Sequence, residues 1–422
     1  MIFAKGTILP DSQLSQVLDE LPNTLPAVLS GEPLTPDVVI GACARLLERL
    51  DRGELDDLLV QYATPQIMDA LEQYRHLLSP ESLEYKLSVE TGDLLSGQSN
   101  RPFGHTIAAP LGVLLHITAG NMDGLPAFSV VEGLLTGNIN LLKLPSDDSG
   151  LSAALLKLLT DTEPRLAPYI YAFSIPSSDK VSLQALANLS DGIVTWGGDE
   201  AVRAMRTMAP AGCKLIEWGH RLSFAYVSGE SREEELSALA RHIIQTGGLL
   251  CSSCQVIYLD TANQEDALCF CRRFLPILEQ AAARGHQTPG QAAQATLHGY
   301  EHLLELAASG SKAQIFRGKG CSVTRCPDQN LELSPLHGNV LIKCLPRTEL
   351  VRILYPQRGR LQTVGLLCPP EERPELSALL ARAGVTRITT SGSMSAPFLG
   401  ECHDGEYPLR RYLRLVDLEN LS

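Results

Sequence analysis

The chain has little positive charge: across 422 residues, 35 Lys and Arg face 48 Asp and Glu, a formal net charge of -13. Nucleic-acid affinity rests on cations that neutralise phosphates, and no basic run interleaved with aromatics is present, so DNA or RNA is not the expected partner. Long hydrophobic runs are missing too, since no stretch approaches the roughly 18 uninterrupted apolar residues of a membrane span. The start, MIFAKGTILPDSQ, breaks its apolar stretch at Lys5 and Gly6 and lacks a signal-peptide core. A cytoplasmic protein with small-molecule or protein partners is the expectation. Neither G-x-x-x-x-G-K-[ST] nor a G-x-G-x-x-G at a strand-to-helix turn occurs, which leaves out the standard P-loop and Rossmann fingerprints.

The 11 cysteines are odd in number and scattered over a chain too large to need disulfide staples. Most are expected to be small buried hydrophobes. Cys269 and Cys271, with Cys321 and Cys326, do not fall into a zinc spacing, so no metal is expected.

The first hundred residues read as mostly helical, with Thr35 as an N-cap and Pro36 at a first helical position. From Pro110 onward short β-rich runs alternate with helical ones: GVLLHITA, GLPAFSVVEGLLTG, NINLLKLP, SGLSAALLKLLTD and YIYAFSI. DGIVTW, DEAVRAMRTM, CKLIEW and SFAYVSG follow. That order predicts a parallel α/β sheet, with SFAYVSG as its last strand. An amphipathic helix over 231–246 should end at Gly247 and Gly248. A second α/β region then runs through strands NVLIKCL and LQTVGLL and the helix ERPELSALLARAG, before a polar tail ends in the strand-like RYLRLVDL. The expected division is 1–240, a helical N-terminal region plus a cofactor domain completed by the tail 396–422, and 241–395, a catalytic domain.

Two short stretches can carry chemistry. In TWGGDEAV a strand meets Gly197 and Gly198 and then a helix whose N-terminal amides can face a phosphate; the plainer reading is a tight turn with Asp199 as N-cap. In QTGGLLCSSCQVIYLD, Cys251 follows a helix end and is flanked by Ser252 and Ser253, a position suited to an accessible thiolate. A redox C-x-x-C normally opens a helix, whereas Cys254 leads into a strand. On these residues alone, nucleophile and buried structural cysteine stay level.

The segment PLGVLLHITAGNMDGLPAFSVVEGLLTGNINLLKLPSDD resembles the cofactor-domain core of the aldehyde dehydrogenase superfamily, through Pro110, Gly112, Val113, Asn121, Gly137, Asn138 and Lys143. VTWGGDEAV falls where that superfamily has Phe-Thr-Gly-Ser, and IEWGHRLSF where it has Glu-Leu-Gly-Gly-Lys. Glu217 then stands 34 residues before Cys251, matching its general base and nucleophile. Within the superfamily the chain is most similar to the LuxC-type fatty acyl-CoA reductases of bacterial bioluminescence. CSSCQVIY resembles their Cys-Ser-Ser-Pro-Gln-x-x-Tyr, LQTVGLL their penultimate strand, and GSMSAPFLGECHDGEYPLRRYLR their His-Asp-Gly ending. Cys254 occupies the proline position, and no Glu-x-Phe-Gly-Pro is visible in LELSPLHGNVL.

The resemblance implies an aldehyde-dehydrogenase-like α/β fold: two parallel-sheet domains, a helical N-terminal region and a C-terminal strand tail. It implies NADPH-dependent reduction of an acyl-CoA, or of an acyl group delivered by a partner, to an aldehyde. Cys251 would carry the acyl group, Asn121 and a main-chain N–H the oxyanion, and Glu217 would serve as base or as a structural strand-end carboxylate. Thr118, Lys143, Ser146, Gly197 and Gly198 would hold the cofactor, NADPH or else NADH. His403, Asp404 and His220 read as structural. A homo-oligomer associating through the tail strand, and an acyl-activating ligase or acyltransferase partner, are further implications. The alternatives are an acyl-phosphate reductase or aldehyde dehydrogenase of the same fold, and a non-redox acyl-carrying or thioesterase-like protein.

Overall fold

Five strands, Val113–Ile117, Ile139–Lys143, Ile170–Phe173, Gly192–Trp196 and Lys214–Trp218, are mutually parallel and form the body of a seven-stranded sheet. Val113–Ile117 and Ile139–Lys143 are buried at every residue, as expected of strands covered on both faces. Each fully buried Leu or Ile there contributes about 1.5–3 kcal/mol of transfer free energy. Val113–Ile117 lies between Ile139–Lys143 on one side and Gly192–Trp196 on the other, so the chain reverses its direction of strand addition there. In such sheets ligands bind at the carboxyl ends beside that reversal. Two short strands that the sequence reading missed, Ile2–Ala4 and Thr7–Leu9, extend the sheet antiparallel beyond Ile170–Phe173.

The computed structural model describes residues 1–55, 75–94, 99–101, 104–118, 124–146, 148–285, 289–396 and 400–419. They divide into one unit of Met1–Gly219 with Phe398–Ser422, and a second of His220–Pro397. The boundary expected at 240 therefore falls inside the helix Glu233–Thr246, which belongs to the second unit. SFAYVSG moves with it: strand Leu222–Val227 pairs with Cys254–Leu259 and Leu361–Leu367 instead of closing the first sheet. Sequence adjacency favoured the first sheet, but the hydrogen-bonding partners are supplied from far downstream.

Close packing explains two glycine-dependent features. A Cβ on Gly133, in the helix Leu125–Leu135, would lie 1.8 Å from Asn140 Oδ1, so only glycine lets the helix approach the next strand this closely. Gly247 has φ 57° and caps the helix Glu233–Thr246 in the left-handed conformation, as expected; Gly248, at φ 82°, follows suit.

In the second unit the order along the sheet is Gln314–Gly318, Cys321–Arg325, Asn339–Cys344, Cys254–Leu259, Leu222–Val227, Leu361–Leu367 and Arg387–Thr389. All neighbours are parallel except Gln314–Gly318, which runs antiparallel to Cys321–Arg325. The tail forms a strand, Leu413–Glu419, antiparallel to Gly104–Pro110, which in turn pairs with Ser99–Arg101. Asn138, noted for its motif, fastens this tail: its Oδ1 accepts the Gly112 N–H at 2.9 Å and its Nδ2 donates to the Tyr412 carbonyl at 3.0 Å. Among the described residues no helix is long and apolar enough to cross a membrane.

Candidate active site

Cys251 is exposed, in the turn between the helix Glu233–Thr246 and the strand Cys254–Leu259. The turn is pinned residue by residue. Ser253 Oγ accepts the Leu250 N–H at 2.9 Å, and the Ser253 N–H donates to the Leu250 carbonyl at 3.0 Å. Ser223 Oγ donates to the Cys251 carbonyl at 2.7 Å while accepting the Thr363 N–H at 3.0 Å. Ser252 Oγ and Ser395 Oγ are 2.7 Å apart, and the Cys254 N–H donates to His242 Nε2 at 3.3 Å. Such a scaffold fixes where the Cys251 side chain is presented. Cys254 is its opposite: it is 2% exposed, and burial pushes its thiol up to about 12, which leaves a small hydrophobe in place of a nucleophile.

Of the residues that hold the turn, only Ser252 and Ser253 stood out in the sequence. Ser223 and Ser395 come from distant positions. His242 carried one faint signal, a polar residue on the apolar face of an amphipathic helix, beside Leu239 and Ile243.

Cys271, Cys321 and Cys326 are buried, and burial raises their thiols to about 12, 12 and 11. Among the described residues no group of three or more His, Cys, Asp or Glu is arranged to hold a metal ion.

In the first unit the expected cofactor residues gather at the carboxyl ends of the parallel strands. Ile117 is in register with Lys143 on one side and Thr195 on the other. Thr118 and Lys143 are each 5% exposed; Thr118 Oγ1 donates to the Lys143 carbonyl at 3.2 Å, and Lys143 Nζ to Ser177 Oγ at 3.4 Å. Ser146 lies in an exposed turn beyond them. Asn121 lies outside the described residues.

Gly198, not Asp199, is the N-cap of the helix Asp199–Met208, with φ -69° and ψ 173°. A Cβ there would meet nothing within 4 Å, so the main chain faces open space that a planar ligand can approach. Gly197 is more confined, since its Cβ would lie 3.3 Å from Ala201. Asp199 and Glu200 already place two carboxylates in the first turn of this helix. They offset the helix dipole, so this end is a poor cradle for phosphate, and the Lys143 ammonium is the better one.

Glu217 does not stand alone. Arg206 holds both of its carboxylate oxygens at 2.6 Å. Next to it Trp218 packs with Trp196, ring centroids 5.6 Å apart, and His403 lies 5.0 Å from each indole. His403 thus anchors the tail against the ends of two strands, with its main chain bridged to Glu406. Glu217 and the glycine turn belong to the first unit, Cys251 to the second.

An apolar cavity of about 30 Å³ in the first unit is lined by Cys43, Leu46, Phe128, Val131 and Leu156 among others. It has room for about two water molecules, far too little for a long acyl chain.

The pattern of the acyl-CoA reductase (LuxC) family matches residues 43–415. A long-chain acyl-protein thioester reductase of Aliivibrio fischeri is 25% identical over 317 residues, 74% of this chain and 65% of that protein. The one of Vibrio harveyi is 24% identical over 318 residues, again 74% and 65%. The aligned stretch thus spans just under two thirds of these relatives' length. Among solved structures, a salicylaldehyde dehydrogenase from Pseudomonas putida G7 superposes with a TM-score of 0.75 at 12% identity, covering 97% of this chain and 91% of that one. The fold is that of the aldehyde dehydrogenases, with α/β units built on parallel sheets. With the family pattern extending from Cys43 to Leu415, across both units, the chain belongs to the acyl-CoA reductase (LuxC) family.

Proposed function

We propose that the protein reduces a long-chain acyl thioester to the aldehyde through an acyl group carried on Cys251. The observation that carries this reading is the contrast within one turn: an exposed Cys251 on a hydrogen-bonded scaffold, beside a buried Cys254 whose thiol is pushed to about 12. The Cys251 thiolate attacks the thioester carbonyl, the donor thiol leaves with the electrons of the broken C–S bond, and the acyl group stays on Cys251. NADPH, when bound, supplies the hydride that brings the acyl carbon to the aldehyde level. Release of the aldehyde breaks the Cys251 C–S bond and returns the thiolate.

The protein's own groups divide the remaining work. Lys143 and Thr118 would hold the adenosine side of the dinucleotide, with the main chain of Gly198 and Ser146 beside them; the burial of Lys143 and Thr118 at the carboxyl ends of the strands and the open space at Gly198 support this reading. Asn121, from its motif, and a main-chain N–H at Cys251 are the proposed oxyanion donors. Glu217 enters as an anchor for Arg206, since both of its carboxylate oxygens are already engaged by the guanidinium and a reductive step needs no activated water.

The named relatives are acyl-protein thioester reductases. The proposed donor is therefore an acyl group on a partner protein, an acyl-activating ligase or acyltransferase, with acyl-CoA as its soluble equivalent. A homo-oligomer formed through the Leu413–Glu419 strand, in the cytoplasm, completes the reading.

The test supplies acyl-CoAs of graded length and follows NADPH oxidation, aldehyde formation and CoA release. Cys251→Ala is expected to abolish all three; aldehyde production at the wild-type rate by that variant would sink the proposal. CoA release without any NADPH binding would point instead to a thioesterase-like protein.

A further inference from the structure

The turn that presents Cys251 is held from beneath by a residue no motif marks. His242 is 4% exposed on the packed face of the helix Glu233–Thr246, whose Leu239, Ala240, Ile243 and Ile244 sit in the core of the second unit. Its Nε2 accepts the Cys254 N–H at 3.3 Å. One imidazole therefore holds the main chain at Cys254, next to Ser253. It also marks where the strand Cys254–Leu259 begins.

Burial pulls this imidazole down to about 4, so it is neutral near pH 7. Only a neutral ring keeps a nitrogen lone pair free to accept an N–H. The bond is also specific to what stands at 254. The pattern this segment resembles has proline there, which carries no N–H and stiffens the chain through its ring. Cys254 frees the chain at that point and exposes a donor, and His242 accepts it. Left unpaired at a buried position, that N–H would be costly.

We propose that His242 is a positioning residue for Cys251: its Nε2, by holding the Cys254 N–H, sets the shape of the 251–254 turn and with it the reach of the Cys251 thiol. This rests on the reading of Cys251 as the acyl acceptor. Ser223, on the Cys251 carbonyl, works from the other side of the same turn.

Three replacements of similar size separate positioning from packing. In His242→Gln the amide oxygen reaches the place of Nε2; in His242→Asn it reaches only that of Nδ1; His242→Leu keeps the volume and offers no acceptor. The readouts are the rate of Cys251 alkylation by iodoacetamide in the folded protein, kcat with acyl-CoA, and the KM for NADPH. Cys251→Ala supplies the background from the other exposed thiol, Cys269. His242→Gln is expected to stay within about threefold of wild type in alkylation and kcat, while His242→Asn and His242→Leu fall by about tenfold or more with the KM for NADPH unchanged.

Alkylation and turnover in His242→Leu matching those of His242→Gln would overturn the assignment. So would His242→Gln failing as badly as His242→Asn while still folded by circular dichroism. Should His242→Leu not fold, the Gln and Asn pair decides alone. Failure of the underlying reading shows separately, as full turnover in Cys251→Ala.

Discussion

Arg206 grips Glu217 through two parallel hydrogen bonds, Nε to Oε1 and Nη2 to Oε2, each 2.6 Å long. The pair is partly exposed, 59% at the arginine and 24% at the glutamate, so its contribution to stability is small. Glu217→Gln is expected to cost under about 1 kcal/mol and to leave aldehyde production within about threefold. A general base is worth about 10²–10⁴ in rate, so a fall of that size in Glu217→Gln would restore the base role.

Lys143 is a buried cation at the carboxyl end of its strand, where a dinucleotide phosphate would find little competing water. Replacing it with Met removes one charge-assisted contact, worth about 1.5–3 kcal/mol. Lys143→Met should weaken NADPH binding by about tenfold or more and NADH binding by less, with kcat at saturating cofactor unchanged. Isothermal titration with each nucleotide measures this directly. Equal losses for both would place the ammonium away from the phosphate that distinguishes them.

Lys86 bridges two buried carboxylates, 2.6 Å from Glu90 and 2.9 Å from Glu132, and Glu90 also accepts the Leu409 N–H at 2.8 Å. Removing the ammonium leaves both acids without their cation, and breaking such a buried set costs about 3–5 kcal/mol. Lys86→Met should therefore lower the urea midpoint of the first unit strongly at pH 7. Burial already raises Glu90, so the deficit should shrink as pH falls and Glu90 takes up a proton. A deficit that does not change with pH would contradict this account.

His116 and His242 are buried and pulled down to about 4 by that burial, against 6.5 in an unfolded chain. Between those values the unfolded state binds more protons, so stability is present above pH 6.5 and is lost as pH falls toward 4. At pH 5 each histidine should have removed about 2 kcal/mol. His116 sits in the first unit, with Ser129 Oγ at 2.8 Å from Nδ1 and Asn140 Oδ1 at 2.9 Å from Nε2, and His242 in the second. Urea titrations at pH 7.5 and 5 are expected to show both units weakened. In His242→Gln the pH dependence of the second unit alone should flatten.

Much of this molecule was legible in one dimension. Short, largely apolar runs such as VLLHI and INLLK read as strands because both faces of a parallel sheet are covered, and the glycines at 247 and 248 ended a helix because they take positive φ without strain. Motif order singled out Cys251 and the residues of the family pattern, since spacing along the chain survives even where identity is near 25%. Other features depend on partners that chain order does not reveal. Leu222–Val227 joined the second sheet because its hydrogen-bonding partners lie at 254–259 and 361–367, and the N-terminal Ile2–Ala4 strand exists only because Ile170–Phe173 offers it an edge.

The sequence by itself determined the fold class, through the periodicity of its strands and helices, and the family, through the order and spacing of its motifs. Only the tertiary structure decided that Cys254 is buried, that Glu217 is held by Arg206, and that Ser223, Ser395 and His242 converge on the Cys251 turn. Burial and hydrogen-bond partnership are set by segments that meet only when the chain has folded, so local sequence carries little record of them.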